Sequence, residues 1–213
     1  MPICNHCGKR LSIVRYLALR QCGHCGQRRR LRYGLVALGG VGLVYWIQVY
    51  PVRLDFWLSW LVLVVFGVIT VIDIEYRVVL FETVIAGGVV FLAIGVARHG
   101  VLSTLLGGSV GFLSMFGLYW LGKLLLKVRK RASSPGEEAL GFGDVNLFTI
   151  LGLLLGMPAV LVALWIAIAA AGVFSGGVVV RMWLSRNYRT DMAIPYAPFL
   201  IFGAFALLYL VRP

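Results

Sequence analysis

The sequence predicts an all-α fold, a polytopic transmembrane helical bundle of about seven spans that follows a small N-terminal zinc-knuckle segment. Three observations support this prediction: the composition, a series of long apolar runs, and four cysteines near the N-terminus. Of the 213 residues, 61% are hydrophobic and 13% are charged, and the mean hydropathy is +0.93. Soluble domains are about 45–50% apolar and about 25% charged, so this composition excludes an ordinary soluble enzyme. The long apolar runs also exclude a disordered chain.

The apolar runs divide the chain into candidate membrane helices. A helix needs about 20 mostly apolar residues to cross a hydrocarbon core of roughly 30 Å. The seven candidate spans are residues 33–50, 54–72, 78–97, 101–126, 145–157, 159–182 and 196–211. The run 145–157 is short, so we expect it to be tilted, re-entrant or packed closely against the next run. Residues 98–100, Arg-His-Gly, predict a tight connection between the third and fourth runs.

The basic residues predict the orientation of these spans. If the N-terminus is cytoplasmic, 17 of the 20 Lys and Arg residues fall on the inner side and three on the outer side. Cytoplasmic loops carry such an excess, and their positive charge attracts anionic lipid headgroups. The net charge of +12 is therefore interpreted as a marker of topology and lipid contact, and no nucleic-acid partner is expected. We divide the chain into a cytoplasmic zinc-binding segment, residues 1–32, and a transmembrane core, residues 33–213.

The four cysteines form two C-x2-C pairs, Cys4 with Cys7 and Cys22 with Cys25. Two such turns supply the four thiolates of a tetrahedral zinc site. Two disulfides are the alternative, but the predicted orientation places this segment in the reducing cytoplasm. We therefore expect one structural Zn²⁺. Because four cysteine ligands leave no open position for water, this metal has no catalytic role, and no catalytic cofactor is expected.

Acidic residues are scarce, so the place of each one in the chain matters. Four of the eight have ordinary places in turns and loops: Asp55, Glu137, Glu138 and Asp191. Glu75 and Glu82 flank the short inner turn after the second run, which is compatible with an ordinary or a functional role. Asp73 ends the second apolar run and Asp144 opens the fifth, so both are expected at the cytoplasmic edge of the membrane. A carboxylate so close to hydrocarbon is costly, and such acids are functional candidates.

Asp144 follows two glycines, Gly141 and Gly143. Glycines beside a carboxylate allow another backbone to approach closely or the turn to adopt positive φ. An ordinary role is equally compatible with this pattern, because Asp is a favoured N-cap before an apolar helix. The presence of Asp73 at the same membrane face favours a functional site.

Two carboxyl groups within hydrogen-bond reach share one proton, which makes peptide hydrolysis chemically available. The ionised group takes a proton from an attacking water while the protonated group donates to the peptide carbonyl. No Ser/His/Asp or Cys/His set competes, because His99 is predicted on the outer side and the cysteines are assigned to zinc. The alternative is a non-enzymatic membrane protein, a cation-coupled transporter or a pilus or secretion assembly scaffold. Transporter sites lie near the bilayer midplane, so the predicted position at one edge favours the protease.

Several motifs resemble those of the type IV prepilin peptidases, a family of bacterial inner-membrane aspartic peptidases. Residues 141–147, G-F-G-D-V-N-L, are similar to its G-x-G-D motif, and residues 72–75, I-D-I-E, to its first aspartate motif. A late Ile-Pro-x-x-Pro-Phe-Leu motif matches residues 194–200, and many members carry two C-x2-C pairs. The chain departs from the family at residues 79–82, where Leu-Pro-Asp is usual, and at Asn146, where Lys is common.

The resemblance implies that Asp73 and Asp144 are the catalytic pair, with Gly141, Gly143 and Glu75 in the surrounding loop or in contact with substrate. It also implies that the substrates are prepilins or pseudopilins, whose short basic leader is removed at the cytoplasmic face of the bacterial inner membrane. Longer members carry a further helix before the cysteines and methylate the new N-terminus. This chain begins at the cysteine pairs, so the expected activity is the peptidase alone.

Overall fold

The computed structural model describes residues 7, 24–26, 39–42, 45–46, 48–49, 54–76, 78–128, 141–185 and 196–211, and all regular structure in these ranges is helical. The chain forms two compact units, one made of Met1–Pro51 and Asp55–Leu63, the other of Val52–Leu54 and Val64–Pro213. The predicted all-α class is thus confirmed for the described residues. The division into residues 1–32 and 33–213 stays a prediction.

Within residues 54–76, 78–128, 141–185 and 196–211, the chain forms five α-helices and a terminal π-helix: α1 Phe56–Tyr76, α2 Phe81–Val128, α3 Phe142–Leu155, α4 Ala159–Leu184, α5 Ala197–Phe205 and the π-helix Ala206–Leu210. Among the described residues, three helices are long and apolar enough to cross a membrane, namely α1, α2 and α4. The helix α3 and the segment Ala197–Leu210 are apolar but shorter. A helical membrane protein is therefore confirmed, whereas the count of seven spans stays a prediction. Most of the predicted first span, residues 33–50, lies outside the described residues.

The long helix α2 is broken at Gly100, whose φ of 78° and ψ of 166° are not helical. The break defines a first arm, residues 81–99, and a second arm, residues 101–128. A Cβ placed on Gly95 would lie 2.9 Å from Cγ2 of Thr104, although a straight helix would separate these residues by about 13 Å. The arms therefore fold back on each other, and the connection predicted at residues 98–100 is confirmed.

Glycines let α3 pack directly against the second arm of α2. A Cβ on Gly107 would collide with the carbonyl oxygen of Gly152, and a Cβ on Gly111 would lie 2.9 Å from the carbonyl oxygen of Phe148. Small residues at helix interfaces allow this approach of two backbones in a membrane protein. The side chains of Leu147, Phe148 and Leu151 in α3 are fully buried. This packing holds α3, and with it the residues of its first turn, in a defined place.

Candidate active site

Asp73 lies in the last turn of α1, where the sequence predicts it. It follows Ile69 and Ile72 at helical spacing, and these three side chains lie on one buried face of the helix. Only 4% of Asp73 is exposed. The apolar pattern of α1 thus carries a carboxyl group into the interior of the protein.

Asp144 is the third residue of α3, and the N-cap of this helix is Gly141. The interpretation of Asp144 as the N-cap is therefore wrong, because the backbone leaves its extended conformation at Gly141 (φ −72°, ψ 141°) and is helical from Phe142 onward. The Asp144 N–H donates to the Gly141 carbonyl oxygen at 3.1 Å. In return, the Asp144 carboxyl accepts a hydrogen bond from the Gly141 N–H. This bond is one of the two that form a capping box: the side chain of the third helical residue accepts a hydrogen bond from the backbone N–H of the N-cap residue.

The structure brings Asp73 and Asp144 together, as the sequence predicts. Asp144 is 8% exposed and lies outside the three long apolar helices. The pKa of the Asp144 carboxyl is raised to about 7, first by burial and second by the charge of Asp73. The hydrogen bond from the Gly141 N–H opposes this rise. The raised pKa means that the Asp144 carboxyl keeps its proton up to near neutral pH. Two interacting carboxyl groups can share a single proton, so this buried pair can supply an ionised acceptor and a neutral donor together.

Gly143 provides the close approach expected of a glycine beside the carboxylate. A Cβ on Gly143 would lie 3.0 Å from Cβ of Val79 and 3.6 Å from the Val79 carbonyl oxygen. The turn of residues 78–80, which joins α1 to α2, therefore passes directly over the first turn of α3. Gly141 differs, because a Cβ there would meet only ordinary contacts, such as Asp144 Oδ2 at 3.6 Å.

The other predicted site residues are described only in part. The backbone of Glu75 belongs to the last turn of α1, but its side chain lies outside the described residues. Cys7 and Cys25 are half-buried, whereas Cys4 and Cys22 are not described. Within the described ranges, no group of three or more His, Cys, Asp or Glu could hold a metal ion. The zinc site stays a prediction.

His99 lies at the opposite end of α3 from Asp144. Its ring hydrogen-bonds to the backbone carbonyl of Leu154, and it lies beside Gly156 at the end of the helix. Because α3 has 14 residues, its ends are about 20 Å apart. His99 therefore does not belong to the aspartate pair, in agreement with its predicted place on the other side.

Two residues near the aspartate pair were not predicted from the sequence. Val79 contacts Gly143, and no local pattern signals this contact because the two residues are far apart in the chain.

The second residue, Phe142, is the variable residue of the G-F-G-D motif and is 46% exposed. Its ring packs edge-to-face on Tyr119 at a centroid distance of 5.9 Å, and the Lys123 ammonium lies 4.5 Å from the Tyr119 centroid. The aromatic periodicity of residues 112–120 was the available signal.

Comparison with known proteins identifies similar chains. Residues 60–176 match the model of the type IV leader peptidase family. The prepilin leader peptidase/N-methyltransferase of Pseudomonas putida is 30% identical over 223 residues, which cover 97% of this chain and 71% of the relative. The protein of the same name from Aeromonas hydrophila is 30% identical over 98% of this chain and 70% of its own length. The one from Burkholderia pseudomallei strain K96243 is 28% identical over 99% and 67%. No solved structure matches significantly.

Proposed function

Since the chain belongs to the type IV leader peptidase family, we propose that it is a membrane aspartic endopeptidase that removes the leader peptide of type IV prepilins or pseudopilins. The family makes the chain a peptidase, and its relatives are named for prepilin leader cleavage. The observation that carries the catalytic assignment is the buried interaction of Asp73 with Asp144. A non-enzymatic transporter or scaffold is not favoured by these similarities.

The proposed mechanism uses the single proton that the pair shares. The ionised carboxylate takes a proton from a water molecule as that water attacks the scissile carbonyl carbon, and the neutral carboxyl donates its proton to the carbonyl oxygen. As the C–N bond of the tetrahedral intermediate breaks, the departing amine takes the proton that the pair received from water. The hydroxyl formed from the carbonyl oxygen returns its proton to the other carboxylate, so the pair again holds one proton. Burial strengthens each of these interactions, because the local dielectric is low. The chain's own residues account for every proton in this cycle.

We place the reaction at the cytoplasmic face of the bacterial inner membrane. The excess of Lys and Arg on one side supports a cytoplasmic N-terminus, and three long apolar helices support a membrane location. The full set of seven spans, with residues 145–157 among them, belongs to this proposal, as does contact of the inner loops with anionic lipid. Glu75 and the glycines Gly141 and Gly143 are proposed to shape the loop around the scissile bond.

A structural zinc is also part of the proposal. Cys4, Cys7, Cys22 and Cys25 would hold one Zn²⁺ through four thiolates, which fits the reducing cytoplasm. Such a closed site stabilises the fold of a small segment and takes no part in hydrolysis. The names of the relatives also include methyl transfer, but the aspartate pair accounts for hydrolysis alone, and the proposed activity is the peptidase.

The proposal is tested by cleavage of a prepilin substrate in detergent. The variants Asp73→Asn and Asp144→Asn keep the shape of each side chain but remove its acid–base function, so we expect turnover to fall by roughly 10²- to 10⁴-fold. Asp55→Asn is the matched control, because Asp55 is exposed, and it should retain normal turnover. Near-normal cleavage by either variant of the pair would refute the assignment.

A further inference from the structure

The turn of residues 78–80, which follows Asp73 in the chain, is held to the start of α2 by hydrogen bonds. Residues 78–80 join α1 to α2, and the Leu80 carbonyl oxygen accepts hydrogen bonds from the Thr83 N–H at 3.1 Å and the Val84 N–H at 3.2 Å. The Thr83 hydroxyl donates to the same carbonyl at 2.7 Å. Three donors on one oxygen hold the turn firmly to the first turn of α2. Val79, the residue before Leu80, is therefore presented in a defined position.

Val79 fills the space that Gly143 leaves. A Cβ on Gly143 would lie 3.0 Å from the Val79 Cβ and 3.6 Å from its Cγ2. The first distance is shorter than van der Waals contact between carbon atoms, so any side chain at residue 143 must displace either the turn or α3. The helix α3 resists displacement because its backbone packs on Gly107 and Gly111. The three atoms nearest to the Cβ position of Gly143 all belong to Val79, whereas the neighbouring side chain of Val78 is 53% exposed.

The contact links the two segments that carry the candidate catalytic carboxyl groups. Val79 follows Asp73 by six positions, and Gly143 is bonded directly to Asp144. We infer that Val79 is a positioning residue, and that its contact with Gly143 sets the separation between the carboxyl groups of Asp73 and Asp144. This inference rests on the proposed function. It gives a specific role to the turn at residues 79–82, where the chain departs from the usual Leu-Pro-Asp.

The test compares Gly143→Ala, Val79→Gly and the double variant in the prepilin cleavage assay. Gly143→Ala should push the two carboxyl groups apart, and a weaker repulsion lets the second one ionise more easily. The alkaline limit of the pH–rate profile should move down by about 0.2 pH unit, as expected when two charges about 4 Å apart separate by about 0.3 Å more. Val79→Gly removes the opposing Cβ, so the double variant should return the limit toward that of the wild type. Val79→Ile adds bulk from the other side and should lower the limit even if Gly143→Ala does not fold.

The matched control is Val78→Gly, alone and combined with Gly143→Ala. It introduces the same backbone freedom one residue away but removes no atom from the contact, so it should not restore the alkaline limit. An unchanged limit in both Gly143→Ala and Val79→Ile would overturn the inference. Equal rescue by Val78→Gly and Val79→Gly would overturn it too, because flexibility alone would then explain the recovery.

A second readout does not depend on catalysis. Because the pKa of Asp144 is raised in the folded protein, its melting temperature should decline as pH rises toward 7 and then level off. In Gly143→Ala this decline should end at a lower pH, and the double variant should restore it. If the wild type cleaves no prepilin but these thermal shifts occur, the proposed function fails and the positioning role stands. If the wild type cleaves and neither profile shifts, the positioning role fails alone.

Discussion

Asp144 accepts a hydrogen bond from the backbone N–H of Gly141, three residues earlier, at the start of α3. This bond favours the ionised carboxylate, whereas burial and the charge of Asp73 favour the neutral acid. The pKa of Asp144 therefore depends on two opposing influences, the nearby N–H of Gly141 and the carboxyl group of Asp73, which is distant in the sequence but close in the structure. Each influence can be changed by a single substitution.

Gly141→Pro removes the donor and preserves the backbone. The φ of Gly141, −72°, matches the value that proline imposes, and only the N–H is lost. Without the bond, the pKa of Asp144 should rise further, so the alkaline limit of prepilin cleavage should move to higher pH. Gly141→Ala retains the N–H and meets no close contact, so its profile should match that of the wild type. A profile that shifts equally in both variants would contradict this account of the bond.

Asp144→Asn should make the folded protein more stable at neutral and alkaline pH while it abolishes cleavage. The pKa of Asp144 is raised from 3.8 to about 7 in the folded state, so the folded protein binds this proton more tightly than the unfolded chain does. Stability then falls as pH rises from about 4 through about 7. The neutral amide escapes this loss, and the difference in melting temperature between variant and wild type should grow over that range and level off above it.

Thermal unfolding in detergent between pH 4 and 8 measures this difference. Asp55→Asn serves as the control, because Asp55 is exposed, and its melting temperature should follow that of the wild type at every pH. A constant difference between Asp144→Asn and the wild type across the whole range would show that ionisation of Asp144 does not oppose folding.

The helices were well predicted from the sequence because apolar length alone determines them in a membrane protein. The runs 54–72 and 159–182 correspond to α1 (Phe56–Tyr76) and α4 (Ala159–Leu184), and the break at Gly100 lies at the predicted connection. The juxtaposition of Asp73 and Asp144 followed from the alternation of the spans and the distribution of positive charge. These are properties of whole segments and do not require side-chain detail.

The finer features of the site depend on nonlocal contacts and were not predictable in the same way. Whether Asp144 caps α3 or occupies its third position is decided by the backbone conformation of Gly141, and the Gly-Asp pattern is compatible with both. The contact between Val79 and Gly143 joins residues on separate segments, so no periodicity within either segment reveals it. The sequence indicated that a backbone would approach Gly143, but it did not indicate which one.

The zinc proposal predicts about one zinc atom per chain in the purified protein, because two C-x2-C pairs supply a complete tetrahedral ligand set. Cys7→Ser and Cys22→Ser should each lower the metal content sharply, as determined by elemental analysis. His24→Ala is the control, since His24 lies between the cysteines of the second pair without being assigned as a ligand. An equal loss of zinc in His24→Ala would contradict the four-cysteine site, and absence of zinc from the intact protein would refute the metal site itself.

Gly152→Ala should destabilise the protein and impair cleavage, although residue 152 is far from the aspartate pair along α3. A Cβ at this position would collide with the carbonyl oxygen of Gly107, and forcing atoms into a packed interface costs about 1–3 kcal/mol. Relief requires α3 to move away from the second arm of α2, which also moves the first turn that carries Asp144.

Gly176→Ala is the matched control, because Gly176 lies in α4 with nothing within 4 Å of its Cβ position. Its melting temperature should be unchanged or higher, since alanine favours a helix by up to about 1 kcal/mol over glycine. Equal losses of melting temperature and cleavage in both variants would indicate a general intolerance of alanine and would contradict the specific contact between Gly107 and Gly152.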